Sequence, residues 1–157
     1  MSREIVILWV GRQQRNDWDA LCGRYRDRIA HFTPLSERAV RLGVGSGRSR
    51  LATEASALRS VLPHPAWTVA LDRTGRQRSS PELATWLEGV RESWPHPLVF
   101  LLGSDLGLDR GLVSECRDRL SFGPLTLPHE LARLVLYEQL YRALSINAGI
   151  KYHRGPL

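Results

Sequence analysis

The sequence contains only two cysteines and almost no lysine. Cys22 and Cys116 are far apart in the chain, and neither belongs to a CxxC pair or to a His/Cys cluster with metal-ligand spacing. A disulfide framework is therefore not expected, and no metal site is predicted. Lys151 is the only lysine, so arginine supplies nearly all of the 22 basic residues.

The sequence also lacks a long apolar run. Residues 1–4 lead directly into a short strand-like segment, which is too short for a signal peptide or a membrane span. No other apolar segment reaches the length that a membrane helix needs. We therefore expect a cytoplasmic protein with no membrane partner.

What the chain has in excess is positive charge. The formal net charge is +6 and the sequence pI is about 10.1. Such a surface favours a polyanionic partner, and arginine both binds phosphate and stacks on bases, which suits RNA. A merely solvated surface, produced by a base composition rich in arginine codons, explains the charge equally well.

Strand-like and helix-like segments alternate along the 157 residues. This order predicts one α/β domain over residues 1–157, with a mostly parallel sheet covered by helices on both faces. The predicted strands are 5–10, 35–42, 67–71, 97–103 and 122–127. The predicted helices begin at 16 or 17, 51, 80, 108 and 128, and end near 30, 62, 94, 120 and 147.

The last predicted helix carries apolar residues on two sides. Leu131, Leu134 and Val135 form one stripe, and Leu136, Leu140 and Leu144 form another. Such a helix must be covered on both sides, either by its own sheet and a second chain or within a single well-packed chain.

A glycine-rich basic segment lies at 43–50. It lacks both the GxGxxG spacing of dinucleotide sites and the Gly-Lys-Ser/Thr ending of a P-loop. We interpret it as a flexible loop in which Arg48 and Arg50 are candidates for contact with the RNA backbone.

Two further glycines, Gly103 and Gly107, follow the predicted strand 97–103. Open α/β sheets bind ligands at the carboxyl ends of their strands, and glycine lets the backbone approach a ligand closely. A tight strand-to-helix turn is an equally good explanation of this segment taken alone.

The C-terminal third contains three further motifs: Thr-Leu-Pro-His at 126–129, Glu-Gln-Leu-Tyr-Arg-Ala at 138–143 and Tyr-His-Arg at 152–154. In this order, and together with the Gly103–Gly107 segment, they resemble the ribosomal RNA large-subunit methyltransferases that methylate N3 of a pseudouridine in 23S rRNA. These enzymes are a branch of the SPOUT superfamily. The resemblance covers essentially the whole chain and is strongest over 71–154.

The resemblance implies a C-terminal trefoil knot, a homodimer, and S-adenosylmethionine bound among the knot loops. Its RNA partner would be 23S rRNA, methylated as part of the assembled ribosome. One departure is that the family usually has a second glycine where this chain has Ser104, followed by Asp105. The positions implied to contact the cofactor are Leu71, Gly103, Gly107, Phe122, Gly123, Pro124, Leu125, Thr126 and Leu127.

The chemistry requires removal of the proton on N3, and imidazole is the side chain that most often serves as a base near neutrality. The candidate bases are therefore His129 and His153. The tail Tyr152, His153 and Arg154 is expected to reach the target base, from either the same or the partner subunit, with Tyr152 stacking on or hydrogen-bonding the base and Arg154 holding a neighbouring phosphate. These four residues are the candidate catalytic residues. For His129, helix capping is an equally good explanation. Arg142 is a further candidate for phosphate contact.

Two alternatives stay open at this stage. One is a SPOUT methyltransferase that acts on tRNA, although the chain lacks an added RNA-binding domain. The other is a non-catalytic ribosome-associated protein of the same fold, for which Ser104 and Asp105 are the only support.

Overall fold

The computed structural model describes residues 3–12 and 16–155, which form alternating strands and helices. The strands are β1 (Ile5–Val10), β2 (Leu35–Val40), β3 (Trp67–Gln77), β4 (Leu98–Leu102) and β5 (Asp118–Ser121). The helices are α1 (Asp17–Ile29), α2 (Gly47–Val61), α3 (Ser80–Ser93), α4 (Arg110–Glu115) and α5 (His129–Asn147). The predicted α/β order is confirmed.

The five strands form one parallel sheet in the order β2-β1-β4-β3-β5. The central strands β1 and β4 are buried along their whole length, and Ile7 pairs with Phe100 in their register. Alternate residues of these strands contribute to separate apolar clusters on the two faces of the sheet. Both faces are therefore covered, as the apolar runs predicted.

Capping side chains fix where several helices begin. Asn16 accepts a hydrogen bond from the backbone N–H of Asp19, and Ser79 accepts one from Glu82. Asp109 caps α4 in the same way. Each cap satisfies a backbone donor that the first helical turn leaves without a partner.

The interpretation of 43–50 as a flexible loop is wrong for its second half. α2 begins at Gly47, four residues before the predicted start, so Arg48 and Arg50 lie in its first turn. Arg50 pairs with Glu54 one turn later, and this contact supports helix in a segment whose glycines predicted loop.

The predictions for 108–127 are also partly wrong. α4 ends at Glu115, and the last strand is β5 rather than 122–127. β5 adds to the sheet by pairing in parallel with β3, first at Val69–Leu71 and then, after a register shift, at Arg76 and Gln77. Local periodicity cannot reveal a strand that is defined by a distant partner.

One side of α5 packs into the sheet's core. Leu136, Leu140 and Leu144 are buried there, whereas Leu131 and Val135 on the other stripe are only half-buried in the single chain. Within 3–12 and 16–155, no helix is long and apolar enough to cross a membrane.

Candidate active site

A cavity of about 590 Å³ lies at the end of β4 and beside the middle of β3, at the edge predicted for ligand binding. Most of its walls come from three segments that are distant in sequence: residues 71–74 of β3, the turn after β4, and the irregular segment between β5 and α5. Eight of the nine predicted cofactor positions line it: Leu71, Gly103, Gly107, Phe122, Gly123, Leu125, Thr126 and Leu127. Pro124 does not line the cavity.

Gly103 and Gly107 form one tight turn at the centre of this cavity. A Cβ atom on Gly103 would lie 2.2 Å from the carbonyl carbon and oxygen of Gly107. Gly107 has a φ of +79°, which side chains other than hydrogen rarely allow. The backbone N–H of Gly107 donates to the carbonyl of Ser104 at 2.9 Å, which closes the turn.

Ser104 is buried and faces α2. Its hydroxyl donates to Glu54 at 2.8 Å, and the same carboxylate accepts from the backbone N–H of Gly43 at 3.0 Å and from Arg50 at 2.8 Å. Arg50 also forms an ion pair with Asp105, which lowers the pKa of the Asp105 carboxyl. The two departures from the family pattern thus tie the turn to α2.

Asp72 is a cavity residue that the sequence reasoning did not select. Its carboxylate accepts from Arg110 and from the hydroxyl and the backbone N–H of Thr74. Arg110 is the main reason that the pKa of Asp72 falls to about 2. Because Asp72 directly follows the predicted strand 67–71, the same strand-end rule that selected Gly103 would have found it.

The segment between β5 and α5 has no regular secondary structure, and its backbone lines the cavity. Gly123 has a φ of +109°, and its N–H donates to the hydroxyl of Ser121 at 3.1 Å. Thr126 is exposed, and Leu125 keeps 75% of its surface accessible. Glycine and apolar side chains dominate this wall, so its recognition of a ligand would rely on backbone groups and packing.

His129 is the first residue of α5 and lines the same cavity. Its side chain is about one-third exposed, and its Nε2 lies 3.7 Å from a carboxylate oxygen of Glu130. The N-cap position of α5 is occupied by Pro128, so His129 lies one residue inside the helix start.

The tail residues lie apart from the cavity. Tyr152 packs edge-on against Tyr141, with 4.7 Å between ring centroids, and its hydroxyl donates to Glu138 at 3.2 Å. Burial, together with hydrogen bonds involving Tyr25 and Glu138, raises the pKa of Tyr152. His153 lies 3.2 Å from Arg142 through its Nδ1. Arg154 is exposed.

The three arginines predicted to contact RNA differ in their surroundings. Arg48 is exposed at the start of α2. Arg142 pairs with Glu138 at 2.6 Å and lies over the Tyr152 ring at 4.8 Å. Arg50 is held by Glu54 and Asp105, so its charge is already paired within the chain.

No group of three or more potential metal ligands occurs in the part of the chain that the structure describes. The chemistry of the cavity therefore comes from glycine backbone, apolar walls, one histidine, and charged side chains that include Arg73, Asp105 and the Asp72–Arg110 pair. A glycine turn at the end of a buried parallel strand is typical of the class of α/β proteins that bind a nucleotide-like ligand at the sheet edge.

Comparison with known proteins identifies the family to which the chain belongs. The family model described as "Predicted SPOUT methyltransferase" matches residues 3–153. The chain belongs to this family of SPOUT methyltransferases, and its full-length relatives narrow the assignment further.

Those relatives are named "Ribosomal RNA large subunit methyltransferase H". The protein from Dinoroseobacter shibae is 48% identical over 143 residues, covering 84% of this chain and 91% of its own. The protein from Rubrobacter xylanophilus is 41% identical over 162 residues, covering 98% and 99%. The protein from Nitratidesulfovibrio vulgaris is 35% identical over 153 residues, covering 96% and 98%. The family resemblance read from the C-terminal motifs is confirmed.

Solved structures support the same fold at low sequence identity. A probable methylase family protein from Haemophilus influenzae superposes with a TM-score of 0.55 and 12% identity, over 98% of this chain and 71% of its own. The SpoU methyltransferase AviRb from Streptomyces viridochromogenes, in complex with the cofactor AdoMet, gives a TM-score of 0.50 and 14% identity, over 96% and 60%. The SPOUT fold class is thus confirmed.

Proposed function

We propose that this protein transfers a methyl group from S-adenosylmethionine to N3 of a pseudouridine in 23S rRNA, with the ribosome as its substrate. The observation that carries the proposal is the position of His129 on the wall of the glycine-lined cavity, in a chain whose full-length relatives are named as ribosomal RNA methyltransferases. We also propose a cytoplasmic location, because the ribosome is the proposed substrate.

The cavity fits S-adenosylmethionine in size and in chemistry. Its volume of about 590 Å³ lies within the usual range for sites that enclose a small organic ligand. Leu71, Leu102 and Leu127 offer apolar surface to an adenine ring, and the turn at Gly103 exposes backbone groups. When bound, this cofactor supplies an electrophilic methyl group, so the protein needs no metal ion for the transfer.

The protein's own part in the reaction is to orient the base and to remove a proton. Methylation of N3 would require that the uracil ring loses its N3 proton, while the bound cofactor would supply the methyl group and keep the sulfur as its leaving group. We assign His129 as the group that takes this proton, since it lies on the cavity wall and imidazole accepts protons near neutrality. Correct orientation of N3 towards the methyl group supplies much of the rate.

The tail residues Tyr152, His153 and Arg154 reach the reaction through a second subunit in our proposal. None of them lines the cavity of its own chain, because Tyr152 and His153 are packed against α5. The half-buried stripe of α5, with Leu131 and Val135, is the surface proposed for a homodimer. Across a two-fold axis, one subunit's tail lies near the other's cavity.

The first test is calorimetric titration of the purified protein with S-adenosylmethionine. Thr126→Trp is the matched control, because Thr126 is exposed and its replacement fills the cavity without disturbing the core. Substitution at Gly103 is a poorer control, since any side chain there collides with the backbone of Gly107. We expect saturable binding that is lost in Thr126→Trp.

The second test is transfer of labelled methyl groups to unmethylated ribosomes, to free 23S rRNA and to tRNA. Our proposal requires that ribosomes are labelled and that the methyl group maps to N3 of a pseudouridine. Labelling of tRNA alone would favour the tRNA-modifying alternative. Failure of both cofactor binding and transfer would favour a non-catalytic ribosome-associated protein.

A further inference from the structure

A second cavity, of about 290 Å³, adjoins the cofactor cavity at the ends of β1 and β4. Leu102, Gly103 and His129 line both cavities, so the two spaces meet beside the proposed base. The cofactor cavity would hold the methyl donor, and the ring that receives the methyl group needs a site of its own beside it. A ligand in the second cavity would lie directly against His129.

Aromatic and arginine side chains form the walls of this second cavity. Trp9 is buried in β1, and Trp18 is half-buried in the first turn of α1. The guanidinium of Arg133 lies 4.2 Å from the ring centre of Trp9, and the residue as a whole is 8% exposed. Asp19 accepts a hydrogen bond from Arg133 at 3.1 Å, which fixes the plane of the guanidinium.

This combination fits a nucleobase better than a phosphate. Flat indole rings stack on flat heterocycles, and a guanidinium donates to their carbonyl oxygens. Two carboxylates, Asp19 and Glu130, line the cavity beside two arginines, Arg12 and Arg133, so the charges of the lining balance and do not favour a phosphate. Carboxylate oxygens also accept hydrogen bonds from ring N–H groups. The volume of this second cavity, about 290 Å³, lies near the lower end of the range for small-molecule sites. It therefore suits a single ring better than a whole nucleotide.

We propose that the second cavity receives the target uracil ring, turned out of the RNA and placed between Trp18 and Arg133, with its N3 edge towards His129. This inference rests on the proposed function for the identity of the ring. It assigns Trp18 and Arg133 as substrate-binding residues, and Asp19 as the residue that positions Arg133.

The first experiment observes the indole N–H groups of the five tryptophans by NMR while pseudouridine monophosphate is added to the full chain. Signals of Trp9 and Trp18 should shift on binding. Trp67 and Trp94 are internal controls, because their indole N–H groups donate to Asp118 at 2.7 Å and to the carbonyl of Pro97 at 3.1 Å, outside both cavities. Absent shifts at Trp9 and Trp18, or equal shifts at all five signals, would overturn the inference.

The second experiment compares Trp18→Ala with Trp18→Phe in methyl transfer to ribosomes. Loss of the stacking ring should lower kcat/KM at least about tenfold, whereas phenylalanine should restore most of it. Both variants should bind S-adenosylmethionine within about twofold of wild type, since Trp18 lines only the second cavity. Equal activity of Trp18→Ala and wild type contradicts the assignment.

The two proposals fail in different ways. The wild-type protein could methylate no RNA while pseudouridine monophosphate still shifts the indole signals of Trp9 and Trp18. In that case the enzyme assignment is wrong, and the assignment of the second cavity to a nucleobase still holds. If ribosomes are methylated while Trp9 and Trp18 do not respond, the enzyme assignment is retained and the ring binds elsewhere.

Discussion

Gly103 is the residue at which backbone packing most directly controls the cofactor cavity. A Cβ atom there would lie 2.2 Å from the backbone of Gly107, and a backbone contact cannot move aside as a flexible side chain would. The turn must therefore open to accommodate any other residue. Ser104 next to it has room, because its side chain is directed to Glu54.

We expect Gly103→Ala to lower the free energy of unfolding by about 1–3 kcal/mol and to weaken S-adenosylmethionine binding at least about tenfold. Gly89→Ala is the matched control. Gly89 lies on the exposed face of α3, where an added Cβ has no neighbour within 4 Å, so alanine should stabilise the helix by about 0.5–1 kcal/mol. Chemical denaturation and calorimetry measure both effects, and normal cofactor affinity in Gly103→Ala would contradict the expectation.

Asp72 should make the stability of the protein depend on pH in the acid range. Its folded-state pKa of about 2 lies below the usual value near 3.9, so its contribution is present above about pH 4 and is lost as the pH falls towards 2. Because Arg110 is well exposed, solvent screening limits this contribution to about 1 kcal/mol.

The test is urea denaturation of wild type and Asp72→Asn at several pH values. At pH 7 the variant should be less stable by about 1 kcal/mol, and the difference should shrink between pH 4 and pH 2. Asp27→Asn, in an exposed position of α1, serves as the control and should follow the wild-type curve. A constant difference between wild type and Asp72→Asn at all pH values would show that the Arg110 contact does not set the acid dependence.

At the scale of elements, α5 connects the cofactor cavity to the tail. Its first residue, His129, lines the cavity, and Glu138 two and a half turns later holds Arg142 and Tyr152. Glu138 is thus the acceptor that fixes the tail against the helix. Loss of its negative charge should free the tail without exposing the core.

We expect Glu138→Gln to increase hydrogen exchange of residues 150–155 at least several-fold, because the ion pair with Arg142 is lost and the bond to Tyr152 is weakened. Mass spectrometry of the exchanged protein gives the measurement. Glu88→Gln, on the exposed face of α3, provides the control and should leave the tail unchanged. Unaltered exchange of the tail in Glu138→Gln would mean that aromatic packing on Tyr141 holds it instead.

At the scale of the whole molecule, the proposed dimer can be tested by mixing two inactive variants. Thr126→Trp blocks the cofactor cavity, and a Tyr152→Ala, His153→Ala double variant removes the tail. If the tail acts on the partner's cavity, each mixed dimer has one complete active site, and random mixing restores about a quarter of wild-type activity. If the tail acts on its own cavity, no active site in the mixture is complete.

This mixing experiment requires that the dimer forms, which light scattering measures directly. Each variant alone should stay inactive at every concentration. Recovery on mixing after unfolding and refolding, but not on brief mixing of folded dimers, would show that subunit exchange limits the recovery. Activity that never recovers would place the tail in its own subunit.

Sequence patterns predicted the parts of this molecule that depend on near neighbours. The runs Ile5–Val10 and Leu98–Leu102 are apolar throughout, and this pattern by itself specifies buried parallel strands. Gly103 and the C-terminal motifs led to the family and to eight positions that line the cavity. These features are local because they follow from residue type, spacing and strand ends.

Tertiary structure decided what depends on distant partners. β5 is a strand because it pairs with β3, which lies about 45 residues earlier in the chain, and residues 47–50 are helical although the glycine-rich run 43–47 predicted a loop. The separation of Tyr152 from the cofactor cavity also depends on how the chain packs. The ion pair between Arg50 and Asp105, and the position of Trp18 and Arg133 on the walls of one cavity, each bring together residues far apart in sequence. Such contacts form only when the packed sheet brings distant segments together, so no local pattern encodes them.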